Sequence, residues 1–137
     1  MIVKNSIIPF DGFAAMTLWP FIFVRDRFAM YFEFTERWYT MITHESIHCA
    51  QQRECLTVGA VLAAVMGMVG CGWWSLLALP LFFLWYLIEW AIRLIMMRDS
   101  HRAYRAISFE AEAYDHETEE DYLSNRAPFI WIKYLWK

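Results

Sequence analysis

The chain has 137 residues, a length that suits one domain. Hydrophobic residues make up 59% of it and charged residues 20%, more apolar than an ordinary soluble domain. The net charge of −3, with no long basic run, argues against nucleic-acid binding.

Residues 1–35 carry short runs rich in Ile, Val, Phe and Trp, Met1–Lys4 and Ala15–Arg25, broken by Pro9, Gly12 and Pro20. They read as two or three short strands. The opening segment MIVKNSIIPFDGF lacks the charged start, apolar core and small-residue cleavage site of a signal peptide. A helix is expected from Glu36 to Leu56, with Thr35 as its N-cap and Glu36 in its first turn, because no Pro or Gly interrupts that stretch. Leu56–Ile88 contains no charged residue. About 20 apolar residues span a bilayer, so this run has the length of one long crossing or of two shorter helices. Gly67, Gly70 and Gly72 favour a break near its middle. Helical character continues to Arg98, with Glu89 and Arg93 at i, i+4 positioned to pair. Residues 108–124 are acidic, lack Gly and Pro, and read as a further helix with Ser108 as a candidate N-cap.

Cys49, Cys55 and Cys71 are odd in number and lack C-x-x-C spacing. They read as small buried thiols, not as a disulfide framework or a thiolate metal site. The chemistry sits in His44-Glu45-Ser46-Ile47-His48. Two histidines four apart on a helix share a face and reach one ion. Zinc accepts neutral imidazole, and the Glu after the first His is angled to take a proton from water beside the metal. His44 and His48 are therefore candidate ligands and Glu45 the candidate general base. The pattern fixes only three positions, but two of the chain's four histidines fall in it.

A catalytic zinc takes three protein ligands and leaves one position for water. Cys55 shares the His48 face but lies about 10 Å along it, too far for one ion. Phe109–Tyr114 offers two carboxylates, Glu110 and Glu112, on the acidic helix. Glu112 points about 200° away from Glu110 around that helix, so the two do not share a site.

HExxH followed by a Glu on a later helix resembles the gluzincin plan. Glu110-Ala111-Glu112-Ala113-Tyr114 is similar to the E-x-x-A-D pattern of membrane zincins related to the CAAX prenyl proteases, with Tyr114 where that pattern has Asp. The longer string HESIHCAQQ…FEAEAY resembles small bacterial proteins with HExIHxxQQ and FExEAY. The resemblance implies one zinc ion, Glu110 in preference to Glu112 as third ligand, and metallopeptidase activity. In the related pattern the Asp orients the site. Asp115 and His116 are the nearest groups to substitute for it. Gln51, on the His face, and Glu112 and Tyr114 are further candidates to surround the ligands. Gln51 and Gln52 otherwise read as structural hydrogen-bonders, Glu117–Asp121 as a solvated face, and His101, Tyr104 and His116 as weak candidates to stabilise an oxyanion.

A single membrane crossing by Leu56–Ile88 would put His44 and His48 on one side and Glu110 on the other. A shared ion requires the run to return to its starting side. The expected architecture is thus mainly α with a short N-terminal β element, a minimal zincin-like α+β fold. One domain over residues 1–137 holds short strands in 1–35, the HExxH helix 36–56, an apolar helical hairpin 57–98 and the third-ligand helix 108–124. Hiding the apolar run inside so small a monomer is difficult. A lipid bilayer or an oligomer is the expected partner, with the membrane favoured. Arg53 before the run and Arg93 and Arg98 after it place the site on the cytoplasmic face. The expected function is a membrane-associated zinc metallopeptidase acting on a membrane-proximal peptide. The alternative is a zinc-binding membrane or scaffold protein without catalysis. A membrane iron enzyme is disfavoured: four histidines are too few for desaturase-type sites, and no second Glu-x-x-His exists.

Overall fold

The computed structural model describes residues 1–10 and 12–136; Asp11 and Lys137 lie outside the described residues. The N-terminal runs form three strands, β1 (Ile2–Asn5), β2 (Ala15–Leu18) and β3 (Phe21–Arg25). The sheet order is β1-β3-β2, with β1 parallel and β2 antiparallel to β3. Alternation along the strands turns Ala15, Thr17, Ile22 and Val24 inward. These side chains build a core with Ala29 and Trp38, against which Met41, Ile42 and Cys49 pack. The strand reading stops short of Asp26–Phe32, which is a helix, α1.

Glu36–Met68 forms α2, a single helix of 33 residues, about 50 Å long. Thr35 is its N-cap, the hydroxyl accepting from the Trp38 N–H at 3.4 Å. The helix does not stop at Leu56. Composition changes there, but nothing breaks the backbone until Gly70 and Gly72, whose φ values of +88° and +54° favour glycine. A 3-10 segment, Gly72–Ala78, then returns along α2. Gly59 permits that approach: a Cβ there would meet the Ala78 carbonyl oxygen at 2.3 Å. Pro80 occupies the N-cap position of α3 (Leu81–Met97), where its missing N–H costs no helical hydrogen bond. Among the described residues no single helix is long and apolar enough to cross a membrane. The 3-10 segment and α3 have that length and apolarity only together, and they are bent by 64°.

Two short helices follow, α4 (Ser100–Ala106) and α5 (Ser108–His116). The expected single helix over 108–124 is two pieces, since α6 covers only Tyr122–Asn125 before a C-terminal 3-10 turn at Ile130–Trp136. Ser108 is not the cap of α5 but its first residue. The capping acceptor comes from α3: the buried Glu89 carboxylate receives the Ser108 N–H at 2.9 Å and hydroxyl at 2.7 Å. Glu89 also accepts from Trp85 Nε1 and from Arg93, the expected i, i+4 partner. An acidic group at a helix N-terminus meets unpaired N–H groups and the positive end of the dipole. Glu89 therefore fixes the start of α5. Cys55, Phe82, Ile107, Phe109 and Trp131 join α2, α3, α5 and the C-terminal turn in a second core. The fold is mainly α with a small N-terminal sheet.

Candidate metal centre

His44, His48 and Glu110 meet where α2 packs on α5. Their ligand atoms all lie within 4.8 Å of one another. The two Nε2 atoms are 3.1 Å apart. His44 Nε2 is 3.4 Å from one Glu110 oxygen and His48 Nε2 is 3.3 Å from the other. Helical spacing turns both rings to one side of α2, and the Glu89 cap sets Glu110 in the first turn of α5.

The hydrogen bonds behind the rings decide where the ring protons sit. The Gln51 amide nitrogen donates to the Phe109 carbonyl and to Glu112, each at 3.0 Å. Both partners only accept, so the Gln51 Oε1 must face His48 Nδ1, at 2.8 Å. That oxygen only accepts as well, so His48 carries its proton on Nδ1. His44 Nδ1 faces a Glu117 oxygen at 2.8 Å and is fixed the same way. Both Nε2 lone pairs are left aimed at the centre. Glu110 adds a third donor, and its Oε2 is buried with no hydrogen-bond partner. Three converging electron pairs in a buried site repel unless a cation lies among them. Two imidazole nitrogens and one carboxylate oxygen form a donor set suited to zinc.

Titration reflects the same demand. Burial by itself lowers the His48 pKa, but the Glu110 carboxylate more than reverses this and raises it to about 9. Burial raises that of Glu110, and the charge of His48, with that of His44, outweighs it, holding Glu110 well below the usual carboxylate range. Without a metal ion, a proton supplies the positive charge.

Glu45 projects toward the sheet. Its Oε2 accepts from the Thr17 hydroxyl at 2.6 Å, and the same hydroxyl lies 2.9 Å from the Glu45 carbonyl. Thr17 is a partner that the sequence did not suggest. It sits on the buried face of β2, which Gln52 holds against α2: the Gln52 amide accepts from the Trp19 N–H at 2.8 Å and donates to the Thr17 carbonyl at 2.9 Å. Gln52 thus completes one rung of the β2 edge. On the far side of Glu110, Tyr86 from α3 donates to Oε1 at 2.8 Å.

The groups expected around the ligands separate. Gln51 orients His48 directly. Tyr114 packs its ring edge against His44, centroids 4.8 Å apart, with the Arg105 guanidinium over its face at 4.2 Å. Glu112 does not join the His44–His48–Glu110 cluster. It is fully buried, bonded to Gln51 and Tyr122, and paired with Arg126, which bridges it to Glu54. His116 is drawn away, stacked on Tyr122 and bonded to Glu119 and the Tyr134 hydroxyl. Asp115 is exposed. The carboxylate that orients His44 is Glu117, so the acidic run is not purely a solvated face. Glu117 lies seven residues after Glu110, two helical turns on and therefore on the same side.

No family model, curated protein or solved structure matches the chain.

Proposed function

We propose that this chain is a membrane-associated zinc-dependent peptidase of minimal zincin-like plan, with an apolar helical hairpin inserted between the HExxH helix and the Glu110 helix. One observation carries the reading. Both histidines hold an Nδ1 proton against Gln51 and Glu117, so that both Nε2 atoms and a Glu110 oxygen converge on one point. That arrangement has little use except to hold a cation. Zinc held there by His44, His48 and Glu110 would supply Lewis acidity, which makes nearby water easier to deprotonate. Glu45 takes the proton from the attacking water and passes it to the departing amine. Thr17 holds the Glu45 carboxylate toward β2, and Tyr86 restrains Glu110. Arg53, Arg93 and Arg98 flank the apolar run and favour the cytoplasmic face for the site.

A second reading is a zinc-binding membrane or scaffold protein that performs no hydrolysis. It is favoured by one cavity that the ligands do not line. A space of about 290 Å³ is lined by Trp19, Ser46, Cys49, Arg53, Glu54 and Arg126 among others, and by none of the three ligands. Glu45→Gln separates the two readings. Hydrolysis of unstructured or membrane-anchored peptides by the zinc-loaded protein, abolished in Glu45→Gln with zinc content unchanged, supports the peptidase. Zinc retention without any cleavage by the wild type supports the scaffold.

A further inference from the structure

The surface of the C-terminal half of α2 differs from the rest of the molecule. Every residue from Val58 to Met68 is exposed except Gly59, Ala63 and Met66. Those three form one stripe at i, i+4, i+7, and the buried Gly59 shows what covers it, the returning 3-10 segment. The remaining circumference is apolar and bare. The returning segment is equally uncovered, with Trp73 88% and Trp74 73% exposed. A protein partner covers one face of a helix. Apolar residues exposed on nearly all sides call for an apolar solvent.

The polar groups agree. No charge occurs from Leu56 to Ile88. The two hydroxyls of Thr57 and Ser75 are satisfied by nearby backbone, donating to the Arg53 and Gly72 carbonyls at 2.8 Å each. At the reversal the N–H groups of Val69, Gly70, Cys71 and Trp74 all find carbonyls within the same segment. Backbone that enters lipid needs this internal satisfaction. α3 is two-sided. Glu89 and Arg93 face the protein and pair with each other, while Leu84, Ile88, Ile92 and Ile95 form an exposed apolar stripe.

We propose that residues 57–79 dip into a lipid bilayer from one side and return without crossing it, with the outer stripe of α3 against the same lipid. The arm from Thr57 to Met68 is about 18 Å long at the helical rise. That exceeds one leaflet of a hydrocarbon core about 30 Å thick but falls well short of the far surface. Both arms must also begin and end on one side, since His44 and His48 precede the dip and Glu110 follows it. The proposal rests on the membrane association put forward above and on none of the catalytic claims.

Cys71, at the tip, tests it. Wild-type protein and Cys71→Ser are reconstituted in vesicles of phosphatidylcholine with a minority of phosphatidylglycerol, with a membrane-impermeant maleimide on both sides. The expected result is that the labelling due to Cys71, the difference between the two proteins, is lost in intact vesicles and restored by denaturing detergent. Bromine at mid-chain of the lipids should also quench wild-type fluorescence more than that of a Trp73→Phe/Trp74→Phe variant. Labelling of Cys71 in intact vesicles would show that the tip is in water and not in the hydrocarbon, overturning the one-sided dip while leaving membrane association standing. Protein that leaves the vesicles in alkaline carbonate and shows no bromine quenching would overturn both, and would assign the apolar surface to a protein partner. Zinc content is unaffected by either result, so the metal site is judged separately.

Discussion

At the scale of single residues, the candidate metal site depends on which atoms hold protons. Glu117 and Gln51 place the ring hydrogens on Nδ1 and leave the Nε2 atoms for a cation. Removing an orienting group of this kind costs about 10- to 100-fold in metal affinity. Glu117→Ala should therefore weaken zinc binding by that factor, measured by competition with a chromogenic chelator, while Asp115→Ala leaves it unchanged. The pH dependence of the chelated protein follows from His48 and Glu110. His48 is raised from 6.5 to about 9 in the folded state, so its contribution to stability is complete below about 6.5 and is lost as the pH rises through about 9. Glu110 is depressed from 4.5, so its contribution is present above that value and lost as the pH falls toward its folded pKa. Thermal melts in chelator should show a maximum between pH 4.5 and 6.5 and a decline toward pH 9. Saturating zinc should abolish the alkaline decline, because the ion replaces the proton. That His44 and His48 share one face of a helix was legible because helical spacing is local. Glu117 and Thr17 were not. Glu117 meets a ring 73 positions away in the chain and Thr17 a carboxylate 28 away, and no spacing rule carries that information.

At the scale of elements, the positions that matter are where helices start, stop and approach. Thr35 as N-cap and the glycine break after α2 were readable, because both act through local backbone chemistry. The continuation of α2 to Met68 was missed because a change of composition at Leu56 is not a helix breaker. Asp26–Phe32 was missed because its aromatic residues suit a strand as well as a helix. The close approach at Gly59 gives a direct test. A Cβ there meets a backbone oxygen that cannot swing aside. Gly59→Val should destabilise by about 1–3 kcal/mol, as overpacking does. Gly67→Ala, where a Cβ meets nothing within 4 Å, should be neutral or stabilising by about 0.5–1 kcal/mol. Denaturant midpoints of the two variants check this. Glu89 is the other pivotal element contact. Glu89→Ala leaves Arg93 without its carboxylate and the start of α5 without its cap, and should cost about 3–5 kcal/mol. Zinc affinity should fall with it, because Glu110 stands two residues past the capped Ser108.

At the scale of the whole molecule, the chain is a small α-rich body whose α2 serves two purposes. Its N-terminal half carries both histidines and Glu45, and its C-terminal half is the bare apolar arm. The mainly α class with a short N-terminal sheet was legible from the distribution of Pro, Gly and β-branched residues. A return of the chain to its own starting side was expected from the need to share one ion; the structure shows Glu110 beside the two histidines. The resemblance implied Glu110 over Glu112; what no sequence pattern disclosed is where the other carboxylates go. Glu110 lies beside the histidines, Glu112 pairs with Arg126 and Glu117 stands behind His44. That division is the central claim, and metal analysis of purified wild type, His48→Ala and Glu110→Ala tests it most directly. The expected result is one zinc ion per wild-type chain and its loss in both variants; equal zinc in all three would contradict the site.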